Sequence, residues 1–378
     1  MERNELYSIF RFLFCFGIVL FHYGPRDISS AQRWLSSASI NVTFFFVLSG
    51  FMTAISASKA GELDPFDFIA KRLSRLLPLY YFCLAIFVAL LISNLNLLAL
   101  CLNLVLMQSW IPPFPLSMNF PGWFVSCIFS HLLFFPILFK HALGYKIRPS
   151  VFLLQALGFW AGTQGVLTIL YNSPSFYKEF LPLSHDLIFY SPLSHLCSFI
   201  IGVALGFFYI HSPQIRLAKW PSIGFCCALL FMILGTLQSG WLDAISSNLP
   251  LGASFFAPAF GALVFSVAIL PRGTRELFNL RIVHFLGEIS FPVYLLQYPV
   301  RIIVGYVFPF AENRAISLRV FMFYFVILVV TAALFQVLVQ ERAGKLVISA
   351  FGMTREISKQ VECRMAALHG GRRKDGIR

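Results

Sequence analysis

The chain has 378 residues, 58% of them hydrophobic and 12% charged, with a formal net charge of +13 and a mean hydropathy of +0.78. Soluble domains carry about 25% charged residues, so the composition excludes a water-soluble enzyme or binding module and specifies a polytopic membrane protein. The positive charge does not point to nucleic acid as a partner, because lysine and arginine lie between apolar runs or in the tail, where membrane topology places them.

Apolar runs fall near residues 6–24, 39–57, 76–95, 122–140, 150–171, 191–211, 221–239, 251–270, 285–307 and 318–340. Each is close to the roughly 20 residues that cross a bilayer as a helix. They predict an all-α integral membrane bundle of about ten transmembrane helices. Between them, one side receives Lys71, Arg72 and Arg75, then Lys140, Lys146 and Arg148, then Arg216 and Lys219, then Arg272, Arg275 and Arg281, and finally the tail with Arg372 and Arg373. That asymmetry predicts cytoplasmic N- and C-termini. The stretch "NLLALCLNLVLMQSW" at 96–110 would reverse the later charge clusters if it crossed, so it reads as a continuation or an interfacial helix. The chain divides into a membrane domain at 1–341 and a basic cytoplasmic tail at 342–378, either solvated or drawn to anionic lipid of the inner leaflet. No small-residue cleavage site follows "MERNELYSIFR", so the first helix is expected to stay. The eight cysteines have neither a disulfide framework nor zinc spacing, and no metal is expected.

Polar residues inside the apolar runs are the candidates for function. Arg11 and His22 are eleven residues apart, which is about three helical turns and about 16 Å of rise. They share one face of the first helix. Two readings fit that spacing: a stripe facing an internal cavity, or an arginine snorkelling to one interface and a histidine resting at the other. In the second run Ser49 and Gly50 interrupt aromatic bulk, and close helix packing accounts for them. Lys71, Arg72 and Arg75 stand at what reads as the start of the third span, where cations oppose the helix dipole. Holding an anion such as a phosphate would account for them, as would topogenic charge. Ser290, Tyr294, Gln297 and Arg301 recur at offsets of 4, 7 and 11, one polar stripe that lipid cannot satisfy. Trp123 and Ser126 open the fourth span; they line the same interior or, for the tryptophan, belong to an interfacial belt. His131 and His195 read as packing histidines. Adjacent His185 and Asp186 in an outer loop are a weak signal. Trp34, Trp110, Tyr177 and Trp241 have the chemistry to stack on sugar rings, as do ordinary belt aromatics.

Taken in order, these stretches resemble the membrane acyltransferase-3 family of bacterial polysaccharide and lipopolysaccharide O-acyltransferases. The resemblance rests on Arg11 and His22, "FFVLSGF" at 45–51, "KRLSRLLPLYY" at 71–81, "LMQSW" followed by "PGWF" with Pro136 beyond it, and "GEISFPVYLLQYP" at 287–299. It implies a multi-pass protein of the bacterial inner membrane, in contact with membrane lipids. It also implies that the protein moves an acyl group, acetyl in most members, from cytoplasmic acetyl-CoA or another acyl-CoA to a hydroxyl of a carbohydrate or lipid-linked glycan. By the same resemblance Arg11 and His22 are catalytic, and Lys71, Arg72 and Arg75 hold the donor. Two departures stand out. Ile128 and Phe129 occupy positions where many members carry a glutamate pair, and Gln297 stands where many have histidine. Chemistry then rests on His22, as general base or transient acyl carrier, with Tyr294, Ser290 or Gln297 available to an oxyanion. A transporter or flippase for a glycan or small solute would use the same polar stripes, although no inverted halves are evident.

Overall fold

The structure is a computed structural model that describes residues 5–25, 40–59, 64–90, 94–144, 146–177, 182–212, 223–227, 229–230, 233, 247–271, 280–307 and 317–352. Within these residues every regular element is helical. We number them α1 (Glu5–Tyr23), α2 (Asn41–Lys59), α3 (Pro65–Leu73), α4 (Leu77–Leu90), α5 (Leu97–Leu104), α6 (Trp123–Gly144), α7 (Pro149–Tyr171), α8 (Pro182–Phe189), α9 (Pro192–His211), α10 (Ala257–Ala268), α11 (Arg281–Val307) and α12 (Leu318–Phe335). Proline marks several starts: Pro65, Pro149, Pro182 and Pro192 each take the first helical position, where the missing N–H is no loss and φ is already set.

Six helical stretches are long and apolar enough to cross a membrane, and α3 with α4 supplies a seventh if that pair, bent by 50°, is one span. The expected spans at 6–24, 39–57, 122–140, 150–171, 191–211 and 318–340 each coincide with one of the six. The run at 221–239 lies largely outside the described residues, as do Trp34 and Trp241. The run at 251–270 forms the twelve-residue α10 after a turn. Helix α11 has 27 residues, but its polar stripe keeps it out of the apolar set. The 96–110 segment forms an eight-residue helix, α5, capped by the Asn96 side chain, too short to cross.

First, the residues around the expected boundary at 341 are helical: α12 passes through a π turn at Gln336–Gln340 and runs on to residue 352. The cause is packing, because Gly344 lies against the Ser74 carbonyl and the Gln340 amide donates to the carbonyls of Ser74 and Arg75. The rest of the tail, from residue 353, lies outside the described residues. Second, Lys71 and Arg72 do not start a helix. They occupy the last turn of α3, where cations complement the dipole, and Arg75 sits in the break before α4.

Lipid tails give little drive for helices to associate, so the bundle is held by close packing. At the centre, α2 meets α9 backbone to backbone. A methyl added to Gly202 would lie 2.8 Å from the Phe51 nitrogen, and one on Gly206 would lie 2.8 Å from the Phe51 carbonyl oxygen. This is the close approach that Gly50 implied, since its own methyl would strike the Phe199 carbonyl. Phenylalanine fills the remainder, as where Phe14 of α1 packs on Phe44 at 4.5 Å and edge-on to Phe260 at 5.3 Å.

Candidate functional site

Helix α1 lies along α11 in the same sense. Gly287 accommodates Ser8, the Cys15 thiol donates to the Ser290 carbonyl at 3.0 Å, and Tyr23 lies under the Arg301 guanidinium at 6.0 Å. Ser8, Arg11, Cys15 and His22 are spaced by 3, 4 and 7 residues, so they share the α1 face that meets α11. Arg11 and His22 therefore stand on the interior side of the first helix, at two levels separated by about 16 Å.

One level is cationic. Arg72 lies within electrostatic reach of Arg75 and Arg11. Its guanidinium is held in place by α2, donating to the Met52 carbonyl at 2.7 Å and the Ser56 hydroxyl at 2.9 Å, with the Phe68 ring beneath it at 5.6 Å. Among the described residues no carboxylate pairs with Lys71, Arg72 or Arg75. Lys71 and Arg75 are exposed and Arg72 is half-buried, so the cluster presents uncompensated positive charge beside a fixed guanidinium. The Gln340 clamp on the Ser74 and Arg75 carbonyls fixes the break from which Arg75 projects.

The other level is built around His22. Its imidazole meets the Phe120 ring edge-on at 4.8 Å, and among the described residues its nitrogens have no hydrogen-bond partner. Phe120 opens a short 3-10 turn ending at Gly122. The reason this turn is fixed lies in α11. Pro299 has no N–H, which leaves the Leu295 carbonyl one turn back without its helical donor. The Asn119 amide fills that vacancy at 3.1 Å, and the Gln108 amide holds the Gly122 carbonyl at 3.2 Å. Asn119, Gln108 and Phe120 were not singled out in the sequence, although the proline in "LLQYP" marks a carbonyl that some side chain must satisfy.

Between the levels runs the α11 stripe. The Ser290 hydroxyl donates to the Gly287 carbonyl and the Gln297 amide to the Tyr294 carbonyl, so the serine proton and one of the two amide protons are committed to their own helix. Tyr294 packs edge-on to Phe124 at 5.5 Å, and its hydroxyl has no hydrogen-bond partner among the described residues. Arg301 stands at the His22 end. Trp123 is buried against Phe46, Tyr190 and His195. The Ser126 hydroxyl donates to the Leu106 carbonyl at 2.6 Å, tying the loop that precedes α6 to that helix. The two packing histidines are also placed. His195 spends both ring nitrogens, on Ser254 at 2.9 Å and the Phe189 carbonyl at 2.8 Å, and His131 contacts the Pro192 carbonyl at 2.8 Å. Ile128, at a position where many members carry a glutamate, is buried among apolar groups.

The family comparison decides what this arrangement belongs to. The model of the acyltransferase-3 family, described as an acyltransferase domain, matches residues 7–339. The chain belongs to the acyltransferase-3 family. The match begins just before Arg11, ends beside Gln340 and takes in both levels, and membership makes the protein a membrane acyltransferase. Comparison with curated proteins and with solved structures gives no match.

Proposed function

We propose that the protein transfers an acyl group, acetyl in the simplest case, from acyl-CoA bound at the cytoplasmic face to a hydroxyl of a cell-surface or lipid-linked glycan. The observation that carries this reading is the pairing, among the described residues, of cations without a carboxylate partner at one end of the α1–α11 seam with an imidazole without a hydrogen-bond partner at the other. The CoA phosphates dock at Lys71, Arg72 and Arg75, and the pantetheine arm runs past Arg11 along the seam. The fixed Arg72 guanidinium suits the planar, charge-assisted recognition of a phosphate.

In the direct mechanism, neutral His22 accepts the proton of the acceptor hydroxyl as its oxygen attacks the thioester carbon. The C–O bond forms, the C–S bond breaks, and imidazolium returns the proton to the departing CoA thiolate. Of the three expected oxyanion donors, Ser290 spends its only proton on the Gly287 carbonyl and Gln297 spends one of its two amide protons on the Tyr294 carbonyl, whereas the Tyr294 hydroxyl has no partner among the described residues, so Tyr294 takes that role. In the covalent variant a His22 nitrogen attacks the thioester carbon, the C–S bond breaks and the CoA thiolate takes the ring proton; the acceptor hydroxyl then displaces the imidazole from the acyl carbon, its proton returning to the ring.

The test uses purified protein in lipid nanodiscs with labelled acetyl-CoA and cell-envelope glycan from cells lacking the gene. Label appearing in a base-labile ester is the expected result. Movement of unmodified glycan across vesicles, with no label incorporated, contradicts it.

A further inference from the structure

We propose that the acceptor is held on the outer side by a carbohydrate-binding subsite centred on Asp186, with Tyr171, Tyr177, His185 and Tyr190 as its aromatic walls. This inference rests on the acyltransfer reading above and adds where the sugar binds.

Asp186 lies in α8, ahead of the Tyr190 turn that leads into α9. Its side chain is only 8% exposed, and its nearest ionisable neighbour is His185, with Nδ1 3.9 Å from the carboxylate. That separation is beyond hydrogen-bond distance, and no described residue donates a hydrogen bond to Asp186. Among the described residues this carboxylate, withdrawn from water, has an imidazole at ion-pair distance but no hydrogen-bond donor, an arrangement that is costly. Its oxygens are acceptors only, so the ligand that relieves it must bring donors.

The surroundings supply the other half of a sugar site. Tyr171 packs on Tyr177 at 4.6 Å, Tyr177 stacks near His185 at 6.5 Å, His185 meets Tyr190 at 5.5 Å, and Tyr190 meets Trp123 at 5.1 Å. Tyr190 is half-buried, and its hydroxyl has no hydrogen-bond partner among the described residues. A pyranose offers an apolar C–H face to ring planes and hydroxyl donors to a carboxylate, and this site meets both requirements. The ring series also leads to the chemistry, because Trp123 follows the Phe120–Gly122 turn and Phe120 touches His22. A free phosphate or acidic group would be repelled by Asp186, whereas a polyol brings both the hydroxyl donors and the apolar face that the carboxylate and the rings call for.

The experiment uses the full-length enzyme in nanodiscs with labelled acetyl-CoA and unacylated cell-envelope glycan, quantified as hexose. Asp186→Asn keeps the shape and removes the charge. It is expected to raise the acceptor KM about tenfold to a hundredfold, the loss of a charge-assisted contact, while the donor KM stays within threefold. Tyr177→Leu removes a wall and should act in the same direction, and Tyr177→Phe should not; this pair carries the test if Asp186→Asn fails to assemble. Unchanged acceptor KM in both Asp186→Asn and Tyr177→Leu overturns the subsite and leaves the acyltransfer reading intact. Inhibition by choline at concentrations where methyl glucoside has no effect also overturns it, because the occupant would then be a cation held by rings and carboxylate. A wild-type enzyme that esterifies no glycan hydroxyl overturns both.

Discussion

Replacing Gly202 with alanine tests how the bundle holds its cationic end. The added methyl would lie 2.8 Å from the Phe51 nitrogen and closer still to the Val47 carbonyl, whereas non-bonded heavy atoms settle at about 3.5 Å. Relief requires α2 and α9 to separate by about 0.7 Å or more, because neither contact is a flexible side chain. A gap of that size forfeits a quarter to a half of each dispersion contact along the seam, and overpacking of this kind costs about 1–3 kcal/mol. The separation also moves Met52 and Ser56, the α2 groups that position Arg72. Gly202→Ala should therefore melt at lower temperature in detergent and show a raised donor KM. Gly162→Ala is the control: a methyl there meets nothing within 4 Å, and alanine in a helix gains about 0.5–1 kcal/mol over glycine. Size-exclusion chromatography after a heating series reads stability, and labelled acetyl-CoA reads the KM. Equal stability and equal donor KM for Gly202→Ala and wild type would refute the close-packing argument and the link from α2 to Arg72.

Two further outcomes follow from the site. Arg72→Gln removes a charge that no described carboxylate balances, and the donor KM should rise about tenfold to a hundredfold from the loss of a charge-assisted contact; an unchanged value in a titration of acyl-CoA would remove this cluster from donor binding. Tyr294→Phe should lower kcat by about 10²- to 10³-fold with little change in either KM, whereas Ser290→Ala, which loses only a bond to its own helix, should keep kcat within a few-fold; equal effects of the two would dismiss Tyr294 as the oxyanion donor.

What could be read from the sequence was periodic and local. The three-turn spacing of Arg11 and His22 placed them on one face, and the α11 stripe was visible from the recurrence of Ser290, Tyr294, Gln297 and Arg301. Hydropathy found the crossing segments for the same reason, since burial in lipid acts on composition. It could not find the bend after Leu73, because Lys71 to Tyr81 reads as a charged start on one apolar run. The three-residue break that turns Lys71 and Arg72 into a helix end is held by Gln340, far away in the chain. The same limit applies to α12: Lys345 pairs with Glu341 on an exposed surface and reads as tail, while Gly344 packs on Ser74. Asp186 looked like a loop carboxylate because its burial depends on neighbours that the local sequence does not identify. The anchoring of Phe120 beside His22 was partly legible, since Pro299 frees a carbonyl, but the identity of its donor, Asn119, required the fold.

The most direct measurement is acyl transfer by His22→Ala, purified in nanodiscs and supplied with labelled acetyl-CoA and unacylated glycan, with acyl-CoA binding followed in parallel. On the proposed reading the imidazole accepts the proton or carries the acyl group, so transfer should fall by about 10²- to 10⁴-fold while acyl-CoA binding stays at the wild-type value. Transfer at the wild-type rate by a variant lacking the imidazole would contradict the two-level account.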